Sequence, residues 1–371
     1  MKFFTLAASA VLALSTLGAA EHVHHTKEVL PNNYIDGKHN FVYGDQNFLN
    51  GDENKVLGKF NGVLGDENNV LGFANKVVGN QNGVKGISNG VEGNRNQIVG
   101  SKNGVRGDEN QVKGNRNGIE GHANRVAGDL NSLRGNKNDV IGQSNNVIGS
   151  INRVKGDENG VLGFLNNVQG YDNQVYGIDN GVNGKSNRVA GVSNDVHGWA
   201  NYVKGDRNGV KGDKNSVNGY DNGVLGSKNE VDGSWNKVIG RQNDVDGNEN
   251  RVRGHLNDVD GDLNYVEGRK NDVDGNKNSV WGQENDIYGD ANQVKGAYND
   301  VDGWSNRVQG RNNGVKGDKN QVKGHSNAVK GNKNDVFGNH NRASGNLNDI
   351  DGNRNSVHGF HNDVDGNRNR V

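Results

Sequence analysis

The sequence predicts an all-β protein, a parallel β-solenoid whose coils are each built from two seven-residue units. Three observations support this prediction. From Gly37 to Gly366 every seventh residue is glycine, and an asparagine stands three residues after each of them, from Asn40 to Asn369. A valine or similar residue stands two positions after each asparagine. No insertion or deletion interrupts these forty-eight units, as expected of a stack of identical structural repeats.

Within one unit, the segment Asn-x-Val-x-Gly alternates in the manner of a short strand. Asparagine, valine and glycine then face the inside of the coil, and two variable residues face outward. The remaining Gly-x-x-Asn segment supplies a turn, because glycine accepts positive φ and asparagine bonds to nearby backbone groups. Stacking predicts an asparagine ladder beside a thin apolar spine. Valine is replaced only by Leu49, Ile98, Ile119, Leu133, Ile287, Ala343 and Ile350.

A seven-residue period also raises the possibility of a coiled coil, which the composition of the unit excludes. One apolar position in seven cannot form the two-position seam of a coiled coil. Each unit also contains a glycine, which costs about 1 kcal/mol in a helix interior. The period therefore measures one strand and its turn.

The number of units in a coil follows from a rarer pattern, the pentapeptide NDVDG. It begins at Asn243, Asn257, Asn271 and Asn299, always at multiples of fourteen residues. With two units per coil, or fourteen residues, its aspartates align in two columns on one face. A coil of three units, or twenty-one residues, would scatter them over several faces. The spacing favours the two-sided coil.

The composition excludes an ordinary globular protein. Only 30% of the 371 residues are hydrophobic, and the mean hydropathy is −0.91. A chain this polar cannot bury a thick core, so order must come from the repeat itself. There is no cysteine, which excludes disulfides. The net charge of −1 provides no overall field that would attract nucleic acid.

The sequence predicts three segments. Residues 1–20, which contain one early lysine and a short apolar run, resemble a secretory signal peptide. Residues 21–36 form an N-terminal leader or cap, and residues 37–371 form the solenoid. No later apolar run is long enough to span a bilayer. We therefore expect a secreted, extracellular protein without a membrane span after signal cleavage.

The frame Gly-x-x-Asn-x-Val-x resembles the head repeat of trimeric autotransporter adhesins, whose usual form is Gly-x-x-Ser-x-Ala-x. The similarity extends from Leu30 to Val371. It implies a left-handed parallel β-roll with two units per coil and an adhesive function toward host surfaces. Asparagine replaces serine and valine replaces alanine throughout, and no neck, stalk or membrane barrel follows the repeats. Trimerisation and surface anchoring therefore do not follow from the resemblance.

The aspartates of the repeated pentapeptide are the sharpest candidate for a binding site. Carboxylates in regular columns suit Ca²⁺ or a mineral surface, but they are also compatible with an acidic face that packs rods side by side, or with a solvated face that has no ligand. Like charges one coil apart repel by only about 1 kcal/mol in water. The candidate metal-binding residues are Asp244, Asp246, Asp258, Asp260, Asp272, Asp274, Asp300 and Asp302.

A second and weaker candidate lies near the start of the mature chain, in the sequence EHVHHTKE. His22, His24 and His25 could bind Cu²⁺ or Ni²⁺ there, or could belong to a flexible polar leader. Elsewhere the histidines are dispersed. Without converging side chains or long loops that wall a cleft, we predict no catalytic residue, no enzymatic activity and no bound cofactor, Ca²⁺ excepted.

These observations predict a secreted structural or adhesive element without enzymatic activity. Its partners would be other copies of itself, end to end or side by side, or macromolecules on a host or cell surface. The alternative is a module that binds divalent cations, mineral or ice through a regular solenoid face. Ice-binding solenoids usually present rows of threonine, and threonine is absent after Thr26.

Overall fold

The structure is a computed structural model and describes residues 32–371. The chain divides into two compact units, Met1–Val126 and Ala127–Val371. Within the described residues each unit consists of short β-strands joined by tight turns, and neither contains a helix. Consequently no helix of residues 32–371 has the length and apolar character needed to cross a membrane. The predicted signal peptide, most of the predicted leader, and His22, His24 and His25 lie outside the described residues.

In the first unit the strands alternate between two sheets. The odd-numbered strands are β1 (Tyr34–Asp36), β3 (Phe48–Asn50), β5 (Gly62–Leu64), β7 (Lys76–Val78), β9 (Gly90–Glu92), β11 (Gly104–Arg106) and β13 (Gly118–Glu120). The even-numbered strands are β2 (Phe41–Tyr43), β4 (Lys55–Lys59), β6 (Asn69–Phe73), β8 (Gly83–Ile87), β10 (Gln97–Ser101) and β12 (Gln111–Lys113). Strand β14 (Arg125–Ala127) contains the division between the units.

The second unit repeats this alternation. Its odd-numbered strands are β15 (Ser132–Arg134), β17 (Asn146–Ser150), β19 (Gly160–Phe164), β21 (Gln174–Ile178), β23 (Arg188–Val192), β25 (Tyr202–Asp206), β27 (Ser216–Tyr220), β29 (Glu230–Ser234), β31 (Asp244–Asp246), β33 (Asp258–Asp260), β35 (Asp272–Asp274), β37 (Asp286–Tyr288), β39 (Asp300–Asp302), β41 (Gly314–Lys316), β43 (Ala328–Lys330), β45 (Arg342–Asn346) and β47 (Ser356–Phe360). We call the sheet that they form the odd sheet.

The opposite sheet of the second unit, the even sheet, contains the strands that lie between them in the sequence. These are β16 (Asp139–Ile141), β18 (Arg153–Lys155), β20 (Asn167–Tyr171), β22 (Gly181–Lys185), β24 (Asp195–Trp199), β26 (Gly209–Lys211), β28 (Gly223–Ser227), β30 (Lys237–Arg241), β32 (Arg251–His255), β34 (Tyr265–Arg269), β36 (Ser279–Gln283), β38 (Gln293–Ala297), β40 (Arg307–Arg311), β42 (Gln321–His325), β44 (Asp335–Phe337), β46 (Asp349–Asp351) and β48 (Asp363–Asp365).

Strand pairing confirms the prediction that each coil contains two seven-residue repeats. In both compact units of the chain, a strand pairs in parallel with the strand that follows fourteen residues later. In the pair β17 and β19, for example, Val147 is in register with Val161. The same register joins β2 to β4 in the first unit. Two strands therefore complete one coil, and neighbouring coils lie about 4.8 Å apart.

The core between the two sheets is one residue thick on each side. The central valines are almost completely buried; Val175 and Val189, for example, have no exposed surface. Their neighbours along each strand are mostly exposed, as the alternation predicts. Because the apolar spine is so thin, the polar interior must contribute much of the stability of the folded coils.

That polar interior is the predicted asparagine ladder, which Asn166 illustrates. Its side-chain nitrogen donates to Oδ1 of Asn152 at 3.0 Å and to the carbonyl oxygen of Gly177 at 2.9 Å. Its own Oδ1 accepts from the backbone nitrogen of Asn180 at 3.1 Å and from the side-chain nitrogen of Asn180 at 3.0 Å. Each ladder asparagine thus joins its own coil to the coils on both sides, and Asn166 is only 1% exposed.

The turns contain a feature that the sequence pattern did not predict. The glycines of the frame take positive φ as expected, +144° at Gly163 for instance. The residue two positions later is also left-handed, whatever its type: φ is 59° at Leu165 and 60° at Ile151. Such φ values are uncommon for residues other than glycine and are unfavourable for a β-branched side chain. The hydrogen bonds between coils hold these residues in place, as in the 3.2 Å bond from the Leu165 nitrogen to the Ser150 carbonyl oxygen.

The residue directly after a frame glycine differs between strands that pair over three residues and strands that pair over five. In the first unit Asp66 and Asn80 occupy this position, and their Oδ1 atoms accept from backbone nitrogens of the previous coil at 2.7 and 2.8 Å. In the second unit Phe164 and Ile178 occupy it. There the strands pair over five residues instead of three, so the odd sheet is wider around these two side chains.

Candidate binding faces

The odd sheet of the second unit presents an acidic face of two columns, one of which is interrupted at Tyr288. Asp244 pairs with Asp258, which pairs with Asp272, and Asp246, Asp260 and Asp274 form the parallel column. Asp286 continues the first column, and Asp300 and Asp302 end the two columns. This is the arrangement that the fourteen-residue spacing predicts. We call the acidic face the outward side chains of Glu230, Asp232, Asp244, Asp246, Asp258, Asp260, Asp272, Asp274, Asp286, Asp300 and Asp302.

On the acidic face, partial burial and neighbouring carboxylates raise the pKa of Asp244, Asp258, Asp272 and Asp286. Partial burial against the sheet is the largest cause for Asp258, and the charges of Asp244 and Asp260 add to it. The pKa of Asp272 is raised by partial burial and by Asp258 and Asp274. Asp244 and Asp286 behave in the same way, with Glu230 and Asp300 among their respective neighbours. The charges of neighbouring carboxylates therefore add to the effect of burial on these four aspartates.

Replacing Asp258 and Asp272 together by asparagine should stabilise the fold at neutral pH. A raised pKa means that the folded state binds a proton at a pH where the unfolded chain has lost it. The ionised aspartates therefore destabilise the fold above the raised pKa, and wild-type stability recovers as the pH falls toward the ordinary value of 3.8. We expect a gain of up to about 1 kcal/mol per substitution at pH 7, which should vanish near pH 4. Denaturant unfolding at several pH values measures it.

Asp195→Asn provides the matched control for this prediction. Asp195 also lies outward on a strand, but its neighbours in the column are Gly181 and Gly209 rather than carboxylates. This substitution should give no gain at pH 7. An equal gain in the control, or a gain at Asp258 and Asp272 that persists at pH 4, would contradict repulsion as the cause.

The carboxylates of the acidic face are arranged in rows. Within residues 32–371 no group of three or more His, Asp or Glu side chains converges on a position where an ion could be held. The carboxylates stand side by side in rows and do not surround a common point. Binding of Ca²⁺ or mineral to Asp244, Asp258 and their neighbours stays a prediction.

The same coils carry basic residues on the even sheet. Lys237 pairs with Arg251, and Arg253 follows two residues later on the same strand. We call the basic face the side chains of Lys237, Arg251, Arg253, Lys295 and Arg307, together with Arg241, Arg269 and Arg311 at the neighbouring turn. Glu267 is the only carboxylate among the outward residues of β30, β32, β34, β36, β38 and β40.

A second acidic column lies on the even sheet and was missed from the sequence. Asp335 pairs with Asp349, which pairs with Asp363. Partial burial and the charge of Asp349 raise the pKa of Asp335. The signal was present in the sequence, because Asn362 begins another NDVDG pentapeptide. This copy lies an odd number of seven-residue repeats after the copy at Asn299, and the odd number places it on the opposite sheet.

An apolar patch occupies the wide part of the odd sheet, on β17, β19, β21 and β23. Ile148, Leu162 and Tyr176 form one column. A second column contains Phe164, Ile178 and Val192. These six side chains are between 40% and 51% exposed. We call them the apolar patch. The sequence analysis did not predict this patch, because it considered only rows of threonine as an ice-binding surface.

Small and uncharged polar groups border the apolar patch along one side. Asn146, Gly160 and Gln174 form the column beside it, and Arg188 stands at its far end. Ser150 begins the column of Phe164. Over three successive coils, from β17 to β21, no outward residue of these strands is charged. The patch is therefore regular, uncharged and wide.

Comparison with known families gives one match. The family described as the grass antifreeze beta roll matches residues 29–132, 119–212, 198–282 and 275–371. The matched regions together span the repeats from residue 29 to the end of the chain. Comparison with curated proteins gives no match. The resemblance to adhesin head repeats is therefore not supported, although the two-sided roll that it implied is correct.

Proposed function

Because the chain belongs to the grass antifreeze β-roll family, we propose that it is an ice-binding protein that acts outside the cell and adsorbs to ice through the apolar patch. The family match favours the ligand-binding alternative of the sequence analysis over the structural or adhesive role. Binding to a surface requires no chemical step, which agrees with the expected lack of enzymatic activity. The single observation that carries the choice of surface is the regular array on β17, β19 and β21, whose outward residues are all uncharged.

Regular spacing supports this choice. Ice is a rigid lattice of water molecules, so a protein that adsorbs to it needs many weak contacts repeated at fixed intervals. The strands that carry the patch pair over five residues each without a register shift. Equivalent outward groups of neighbouring coils are therefore in register and about 4.8 Å apart.

The chemistry of the patch also suits ice. Charged groups hold their hydration water strongly, since removing that water costs several kcal/mol per ion. Apolar groups bind water only weakly, and exposed apolar patches generally mark interaction sites. The hydroxyl of Ser150 and the amides of Asn146 and Gln174 can hydrogen-bond ordered water at the edge of the patch. The patch therefore supports adsorption without threonine rows.

The acidic face is a poorer candidate for contact with ice. Its aspartates occupy both outward positions of β31, β33 and β35. Adsorption to ice through this face would therefore require removing the hydration water of several carboxylates. The even sheet across the same coils has the same disadvantage with opposite charge. Within the second unit, the apolar patch is the odd-sheet region with the longest uncharged run of coils.

Charging the apolar patch should abolish the effect on ice. We expect the double variant Leu162→Lys and Tyr176→Lys to lower thermal hysteresis and inhibition of ice recrystallisation by about tenfold or more, because adsorption would then require removing water from two charged groups. Both activities are measured on growing ice crystals under a microscope. Both side chains are exposed, so the fold should be unaffected.

The matched control is Leu225→Lys. Leu225 is 47% exposed, comparable to the two patch residues, but it lies on β28 of the even sheet between Lys211 and Ile239. This variant should keep the wild-type effect on ice. A similar loss in the control, or full activity in the double variant, would exclude the apolar patch as the contact surface.

A further inference from the structure

Two surfaces of opposite charge on the second unit remain unused by ice adsorption. The acidic face lies on β29 to β39 of the odd sheet, and the basic face lies on β30 to β40 of the even sheet. The strands of the two faces alternate along the chain, so the same coils carry both. Neither face includes a residue of the apolar patch.

Few of these charges have partners within the protein. Over residues 32–371 the structure gives no ion pair to Asp244, Asp246, Asp258, Asp260, Asp272 or Asp274. On the acidic face Asp302 contacts Lys316 at 3.2 Å, at the end of the column. On the basic face Arg253 stands 3.8 Å from Glu267, and both side chains remain well exposed. Each face therefore retains a large excess of one sign.

The spacing of the two faces matches. Each coil contributes one strand to each sheet, so the interval between neighbouring carboxylates equals the interval between neighbouring bases. Asp244 and Asp258 are separated by one coil, as are Lys237 and Arg251. Two sheets laid face to face can therefore oppose aspartates to the bases of β30, β32, β38 and β40 without adjusting either backbone.

We propose that the partner of the acidic face is the basic face of a second copy of this chain. Complementary potentials of this kind steer encounter and fix the orientation of the partners. The contact joins two different surfaces, so each associated pair of molecules keeps one free acidic face and one free basic face. Association is then open-ended and yields stacks of molecules rather than closed dimers. The apolar patch lies outside the contact and can still adsorb to ice.

Salt dependence provides the first part of the test. Sedimentation velocity with a chelator present should show wild-type protein that associates at low ionic strength, where the screening length is about 30 Å at 0.01 M, and monomers at 1 M, where it is about 3 Å. Association that needs a divalent cation would assign the acidic face to that ion and overturn the proposal. Wild-type protein that stays monomeric at low salt would overturn it too.

Two charge-reversed variants provide the decisive part. The first carries Asp244→Lys, Asp246→Lys, Asp258→Lys, Asp260→Lys, Asp272→Lys, Asp274→Lys, Asp300→Lys and Asp302→Lys. The second carries Lys237→Glu, Arg251→Glu, Arg253→Glu, Lys295→Glu and Arg307→Glu. Lysine and glutamate already occupy outward positions elsewhere, as at Lys76 and Glu92, so both variants should fold.

Each reversed variant has two faces of like charge and should be monomeric alone at low salt, with association at least about tenfold weaker than that of the wild type. Mixed in equal amounts, they should associate, because the intact basic face of the first meets the intact acidic face of the second. Association in the mixture would also show that both variants are folded, because it needs the intact face of each. A variant that self-associates alone, or a mixture that remains monomeric, would overturn the proposal.

Discussion

The variant Asn166→Ala is expected to have a free energy of unfolding at least about 3 kcal/mol lower than that of the wild type. Removing the amide leaves the side-chain nitrogen of Asn180 without its 3.0 Å acceptor and the Gly177 carbonyl without its 2.9 Å donor. The backbone nitrogen of Asn180 also loses an acceptor. Each buried polar group left unsatisfied costs about 1 to 3 kcal/mol. Denaturant unfolding followed by circular dichroism measures the loss.

The neighbouring residue provides a matched control. Asn167 has the same side chain and differs only in pointing outward from β20, where it is exposed. Asn167→Ala should change the free energy of unfolding by no more than about 0.5 kcal/mol. Equal losses in the two variants would mean that the ladder does not stabilise the fold beyond what a surface amide contributes.

The second large effect concerns the glycine of the turn. Gly163 has φ of +144°, in a region that only glycine populates readily, and a Cβ atom added there would collide with the carbonyl oxygen of Gly177. That oxygen also accepts the hydrogen bond of Asn166. Gly163→Ala should therefore destabilise the fold by at least about 2 kcal/mol, part from backbone strain and part from displacement of the neighbouring coil. Thermal unfolding measures it.

Strand β19 contains its own control for this substitution. Gly160 opens the strand with an ordinary φ, and a Cβ atom added there would have no other atom within 4 Å. Gly160→Ala should be neutral or should stabilise by about 0.5 to 1 kcal/mol, because alanine restricts the unfolded chain. A loss at Gly160 as large as that at Gly163 would contradict the role assigned to the turn.

Most of the fold could be predicted because every coil repeats one pattern. The alternation around residues such as Asn166 and Val168 indicates a strand with its polar ladder and apolar spine inside. The spacing of the NDVDG copies fixes the coil at fourteen residues, and the pairing of Asp244 with Asp258 confirms it. No single unit contains this information; it comes from comparing units along the chain.

The local geometry of the turns could not be predicted from residue types. Ile151 and Leu165 are poor candidates for a left-handed conformation, yet both adopt it. The constraint comes from the neighbouring coils, whose hydrogen bonds outweigh the local preference. The extended pairing at Phe164 is also a property of neighbouring coils, since it depends on which residue the next coil places at the turn.

The candidate contact surface was harder to predict than the fold. Ile148, Leu162 and Tyr176 have no common residue type, so their columns become visible only when the coils are stacked. The repeated aspartates attracted attention because they are identical. Ice binding was discounted for lack of threonine, although an ordered array of mixed apolar groups provides the same regular spacing.

Partition between water and slowly growing ice tests ice binding most directly. A crystal that grows slowly from a stirred solution of the fluorescently labelled protein excludes ordinary solutes but incorporates molecules that adsorb to its surface. We predict that the protein enters the ice at a concentration at least equal to that of the remaining liquid, and that the double variant Leu162→Lys and Tyr176→Lys is excluded. Exclusion of the wild-type protein from the ice would contradict the proposed function.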